Sequence, residues 1–240
     1  MGVLLELGRI PLSIFGKKLC VKNWERIALK KKANHIVNNS YLFNVNNDTG
    51  WSRAIKDSIS KIGLMTVFTR QTKKPPNVIV FGRESDIFYQ EAFTQIQNAP
   101  KLGTFALLKT DIGIEKYLTA VPNTTERVSL SKFRLSNHTL MVEKGRHENI
   151  KREERFCYFC HQEVEDEFHF LIKCQTYSPL RENLFKEIKE IMPDFYYPHD
   201  ERFLFWFLLN CPSIIPFTAH FIHSAFDLRN FLLAKHRVAC

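Results

Sequence analysis

The amino-acid sequence predicts a mainly α protein, built as a helical connector bundle, a small Cys-Cys-His-Cys knuckle and a C-terminal helical subdomain. Three observations predict it. Apolar residues recur at helical spacing, most plainly Leu180, Leu184, Ile188 and Ile191 at intervals of four, four and three. Cys157, Cys160, His169 and Cys174 follow the spacing Cys-x2-Cys-x8-His-x4-Cys. The last forty residues carry seven of the 21 phenylalanines together with Trp206, a density that argues for a packed subdomain. These features divide the chain into a basic helical segment at 1–72, a connector at 77–125, the knuckle region at 126–180 and the aromatic-rich subdomain at 181–240.

Taken in order, the opening ELGRIPLSI reads as an extended lead-in, and a helix is expected from near Leu19, with Trp24, Ile27 and Ala28 on its packed face. After an Asn-rich loop, Trp51, Ala54, Ile55, Ile59 and Ile62 mark a second helix that Gly63 stops. Lys73, Lys74, Pro75 and Pro76 mark a break, because proline lacks the amide that a helix interior needs. Residues 85–98 read as a helix with Asp86 as a possible cap, and 102–119 as helical or mixed, ended by Pro122. The segment SKFRLSNHTL reads as a short helix placing Arg134 and His138 on one face, and Gly145 as a breaker. Residues 178–192 form an amphipathic helix, two core helices fill 203–228, and Phe217, Phe221, Leu228, Phe231 and Leu232 make the stripe of the last one.

The knuckle carries the chemistry. Zinc takes thiolate sulfur and imidazole nitrogen in a tetrahedron, and a Cys-x2-Cys turn lets two thiolates converge on one ion. A His and a Cys five apart fit the start and exit of one helical turn, so EDEFHFLIKC can supply the other two ligands. The competing reading takes the cysteines as small core side chains and His169 as a buried histidine with a partner. A structural zinc is expected over a catalytic one, since four good ligands leave no position for water. Glu167 precedes His169 by two residues, but deaminases place His-x-Glu ahead of their Cys pair, the reverse order. Glu165, Asp166 and Glu167 are expected to favour the helix N-terminus by their charge.

The formal net charge is +9, with an isoelectric point near 9.3. An acidic partner is implied, nucleic acid first and membrane surface as its rival. Much of the excess sits in two runs. Between Gly16 and Lys32 stand Lys17, Lys18, Lys22, Arg26, Lys30, Lys31 and Lys32 against Glu25 alone. Between Arg127 and Arg155 stand eight Lys or Arg and four Glu. The candidate phosphate contacts in this second run are Arg134, Lys144, Arg146, Lys151, Arg152 and Arg155. A charge run is also what a merely solvated helix face looks like. Cys20, Cys211 and Cys240 are too scattered for a disulfide framework, which implies a reducing compartment, nuclear or cytoplasmic. No secretory signal or membrane span is read, because Asn210, Pro212, Pro216, His220 and His223 interrupt the apolar stretch near the C-terminus.

Polymerase and hydrolase signatures are missing from the sequence. No two aspartates adjoin, no Gly-x-Ser-x-Gly elbow occurs, and the nine glycines form no phosphate-cradling loop. Pro193 and Asp194 are followed by no acidic-x-Lys pair of the kind a metal-dependent nuclease uses. No catalytic constellation is read, and the chain is expected to be non-enzymatic.

The run from Ser131 to Arg181, with its Cys157, Cys160, His169 and Cys174, resembles the C-terminal zinc-binding segment of LINE-type (non-LTR) retrotransposon reverse transcriptase polyproteins. Arg134, His138, Glu143, Gly145, Arg146, Arg152, Glu153, Glu154 and Arg155 also fall on motif positions of that segment. ELGRIPLSIFGKKLCVKNWERI, with Trp51 beyond it, is similar to the stretch after the polymerase palm in such elements, where thumb and connector begin. The likeness spans almost the whole chain and is looser from 60 to 110. Fingers, palm and endonuclease have no counterpart, so the resemblance implies a nucleic-acid-handling tail without polymerase activity. The expectation is a zinc-stabilised module binding RNA or DNA through phosphate contacts, without membrane association. Its rivals are a protein-interaction module, with a reverse transcriptase or other protein as partner, and a decayed fragment without selected activity.

Overall fold

The computed structural model describes residues 2–29, 35–70 and 76–238. Lys30, Lys31 and Lys32, and the expected break at Lys73, Lys74 and Pro75, lie outside the described residues. The fold is mainly α, as the periodicity predicted, and only two isolated β-bridges interrupt the helices among the described residues. The helices are α1 (Gly2–Glu6), α2 (Leu12–Leu29), α3 (His35–Asn46), α4 (Gly50–Ser60), α5 (Met65–Arg70), α6 (Pro76–Gln97), α7 (Gly103–Leu108), α8 (Tyr117–Ala120), α9 (Thr124–Arg134), α10 (Met141–His147), α11 (Ser178–Ile191), α12 (Glu201–Asn210) and α13 (Ile215–Val238). They fall into two compact units. One comprises Val3–Leu5 and Arg9–Thr94, the other Gly2, Glu6–Gly8 and Gln95–Cys240.

In the first unit, Val21, Trp24 and Ala28 of α2 bury one face against Tyr41, Ile55, Ile59 and Phe68. Trp24 stacks on Phe68 with ring centroids 5.4 Å apart. Helix α2 begins at Leu12, seven residues before the point expected from sequence. Pro11 suits the residue just outside a helix, and Gly16 projects into open space, where glycine costs only about 1 kcal/mol of helix propensity. The lead-in is itself helical as α1. Helix α4 ends at Ser60, and Gly63, at φ +73°, turns the chain just beyond it. Helix α6 starts well before residue 85, and Asp86 lies inside it instead of capping it. Glu84, 9 % exposed, falls in the stripe Val80, Phe88 and Ala92 and accepts a 2.7 Å bond from Lys17.

In the second unit, α13 is the central post against which α9, α11 and α12 pack. Ile215, Ala219, Ile222 and Ala225 are buried on it, while Phe231 is 65 % exposed. The stripe predicted for this helix therefore holds at Phe221 and fails at Phe231. The deepest line is Ile222, Ala225 and Arg229. Asn123 caps α9, its Oδ1 accepting from Thr125 N–H. That helix ends at Arg134, and Ser136 turns the chain at φ +49°, so His138 shares no helix face with Arg134. Gly145 lies inside α10, where a Cβ would stand 2.7 Å from Arg155 Cγ. Its role is close packing, not helix breaking. Among the described residues no single helix is long and apolar enough to cross a membrane; Glu201–Asn210 and Ile215–His236 pass that test only as a pair bent by 103°.

Candidate metal centre

Two local structures bring the four predicted ligands together. The first is a short hairpin. Phe156 and Val164 form an antiparallel bridge, Cys157 N–H donates to Glu163 O at 2.8 Å, and Glu165 N–H donates to Arg155 O at 2.9 Å. At its tip His161 N–H donates back to Cys157 O, with His161 in the left-handed region at φ +54°. This reversal sets Cys157 and Cys160 side by side. The second is a turn of π-helix over His169–Lys173, in which Cys174 N–H donates to His169 O at 2.8 Å. In an α-helix, residues five apart point about 140° apart around the axis. The wider turn carries His169 and Cys174 to one side, a use that π turns often serve at functional sites.

The ligand atoms of Cys157, Cys160, His169 and Cys174 all lie within 4.8 Å of one another, and the four residues can hold a metal ion. Cys157 Sγ stands 3.8 Å from Cys174 Sγ, and Cys160 Sγ stands 3.3 Å from His169 Nε2. The ring's other nitrogen, Nδ1, lies 3.5 Å from Glu163 Oε2. Cys157 and Cys174 are fully buried and His169 is 3 % exposed. The hydrogen bond from Cys157 holds the Cys174 thiol well below the usual thiol range, and the same contact, with burial, pushes Cys157 up. Burial lowers the His169 pKa, but the hydrogen bond and charge of Cys174 outweigh it and raise the value to about 9. The cluster thus already attracts positive charge, which a cation can supply in place of the protons.

Inward-pointing charged residues hold the frame. Glu165 is fully buried; it accepts two bonds from Arg229 at 2.9 and 2.7 Å and a third from Met141 N–H at 2.8 Å, and lies 3.9 Å from Cys157 Sγ. Arg181 donates to Leu171 O at 2.8 Å and Cys174 O at 2.9 Å, closing the carbonyl end of the ligand turn. Glu167 accepts from Ser136 Oγ at 2.6 Å and pairs with His138 Nε2 at 2.9 Å. Of the three acidic residues expected to favour the helix start, Asp166 alone does so, accepting from His169 N–H at 2.9 Å.

The predicted phosphate contacts separate into two groups. Arg134 is corrected outright: it is fully buried, donating to Glu6 at 3.1 Å, Glu115 at 2.6 Å and Leu209 O at 3.0 Å. Arg155 also turns inward, onto Ile150 O and Val142 O. Arg guanidinium is a planar fork of five donors and suits such carbonyl work better than lysine. Lys17 is engaged by Glu84, and Lys18 lies 4.2 Å from the centre of the Phe81 ring. Lys22, Arg26, Lys144, Lys151 and Arg152 are exposed, and Arg146 keeps part of its side chain in solvent beside Glu143.

Arg181 and Arg229 escaped the sequence reading. The signal for both was a lone arginine set inside an apolar helical stripe, between Tyr177 and Leu184 in one case and after Ile222 and Ala225 in the other. Comparison with known proteins adds no assignment: no protein-family model, curated protein or solved structure matches the chain.

Proposed function

We propose that this chain is a non-catalytic nucleic-acid-binding module in which a structural zinc ion holds the knuckle, related in kind to the C-terminal tail of LINE-type reverse transcriptases. The observation that carries the reading is a complete four-ligand cage with exposed cations beside it. A tetrahedral zinc, with Zn–S near 2.3 Å and Zn–N near 2.0–2.1 Å, requires S···S edges of about 3.8 Å and S···N edges of about 3.5 Å. The chain supplies 3.8 Å for Cys157–Cys174 and 3.3 Å for Cys160–His169. Three thiolates and one imidazole favour zinc over hard, oxygen-seeking cations.

Lys144, Arg146, Lys151 and Arg152 lie on α10 and the loop leading into the hairpin. Beside them is a groove of about 240 Å³ whose walls carry Lys101, Arg152 and Arg202 along with Glu143, Asp166 and Glu167, so the exposed cations of α10 and the loop, not the groove, carry the phosphate contact. Cations on a rigid frame bind phosphate by releasing condensed counterions, so affinity falls steeply with salt. Metal analysis of the purified chain, followed by salt titrations of binding to RNA and DNA, tests the reading. One zinc per chain and a negative log–log salt slope are expected; metal-free folded protein, or no binding at low salt, overturns it.

A further inference from the structure

The groove beside α10 gathers both signs of charge on one wall. It is built within the second unit from α7, α10, α12 and the segments on either side of the hairpin. Three carboxylates line it, Glu143, Asp166 and Glu167, with the three cations Lys101, Arg152 and Arg202. The two signs cancel, so the groove offers a phosphate no net attraction. Glu143 is only 5 % exposed. Its Oε2 takes every ion pair the residue makes, with Arg146 at 2.8 and 3.2 Å and with Lys101 at 3.8 Å. That leaves Oε1 as an acceptor for a donor from outside the chain, and a buried acceptor left without a donor is costly.

Apolar surface stands next to these charges. Phe168 meets Phe205 edge-on with ring centroids 5.6 Å apart, the Arg202 guanidinium lies 5.7 Å from the Phe168 ring, and Leu107 is 47 % exposed. Gly103 also lines the groove, and a Cβ there would meet no atom within 4 Å. A glycine at such a place leaves the backbone bare to a close neighbour. At about 240 Å³ the groove falls below the ~300–1,000 Å³ of pockets that take drug-sized ligands. One flat ring system with donors and acceptors along its edges matches that size and that mixture of walls.

We infer that this groove receives one unpaired guanine of a single-stranded nucleic acid whose phosphates lie along Lys144, Lys151 and Arg152; this rests on the nucleic-acid reading above and names the base it selects. Unstacked bases are read along their hydrogen-bonding edges and held against aromatic rings or Arg planes. Guanine suits the wall best, because N1–H and N2–H donate side by side to carboxylate oxygen while O6 and N7 accept from Arg or Lys. Uracil has one donor between two carbonyls, and adenine and cytosine have one amino group each. Arg152 belongs both to the groove and to the exposed cations, so base and phosphate contacts are continuous.

Fluorescence anisotropy on the full chain with zinc, at low salt, tests this with labelled oligouridine RNAs, unbroken or carrying a single central G, A or C. The guanine strand is expected to bind at least about tenfold tighter than unbroken oligouridine, corresponding to about 1.4 kcal/mol. Gly103→Leu and Thr104→Leu each fill the groove without adding a charge or a ring. Circular dichroism verifies that they fold, and one folded variant suffices. Either should abolish the guanine advantage while keeping the affinity for oligouridine and its salt slope. Lys151→Ala should instead weaken all the strands alike. Equal binding of all the strands by wild type overturns the inference and leaves the nucleic-acid reading standing; no binding to any of them overturns both. Tighter binding of the A or C strand than of the G strand, or a guanine advantage that survives in a folded groove variant, also overturns the inference.

Discussion

The two basic runs of the chain use their charge in opposite ways. In the run along α2, the buried face is apolar and Lys22 and Arg26 stay in solvent. In the run from 127 to 155, Arg134 and Arg155 turn inward and donate to carboxylates or carbonyls. Runs of similar length in cations therefore leave Lys22 and Arg26 on a solvated helix face in one place and turn Arg134 and Arg155 into a polar scaffold in the other. Formal net charge does not say which cations are free to meet a phosphate.

Removing metal from the proposed zinc site should break this contrast most. Structural zinc in knuckle-sized units supplies an apparent ~10–16 kcal/mol of folding free energy. Strong chelation is expected to abolish amide protection around 155–177 while the α2 and α4 core of the first unit keeps its own, as read by hydrogen exchange. Arg134→Met comes next. It leaves Glu6, 3 % exposed, and Glu115 without their shared cation, and should cost about 3–5 kcal/mol in urea unfolding. Gly145→Ala pushes a methyl group against Arg155, whose guanidinium ties Val142 O to Ile150 O; about 1–3 kcal/mol is expected. At the small end, Lys22→Ala with Arg26→Ala should leave stability within about 0.5 kcal/mol. If both cations contact phosphate, the pair should reduce the salt slope of duplex DNA binding by about 1.8. A stability loss there as large as that of Arg134→Met would erase the distinction between the two runs.

How much was legible in the sequence follows from how local each signal is. The four ligands are contained in one short stretch, so their spacing was readable; α11 was readable because Leu180, Leu184, Ile188 and Ile191 recur at helical intervals even with Arg181 among them. The start of α2 was missed because Gly8 and Pro11 made the opening ELGRIPLSI read as extended, whereas Pro11 sits just outside a helix that begins at Leu12. Arg134 was misassigned because its partner Glu6 stands 128 residues away, and no window along the chain joins them. The π turn was also hidden: a step of five residues from His169 to Cys174 is compatible with several backbones, and the wider turn is what carries both side chains to one side.

The pairing of Glu165 with Arg229 spans 64 residues. During synthesis on a ribosome, every ligand of the knuckle is out before that arginine exists. A metal ion taken up at that stage would meet a carboxylate next to Cys157 that is still uncompensated, and the last helix would close over the site afterwards as a latch. Truncating the chain ahead of residue 229 should then leave a knuckle that binds added zinc but gives it up faster, as read by the rate of zinc transfer to a chelator.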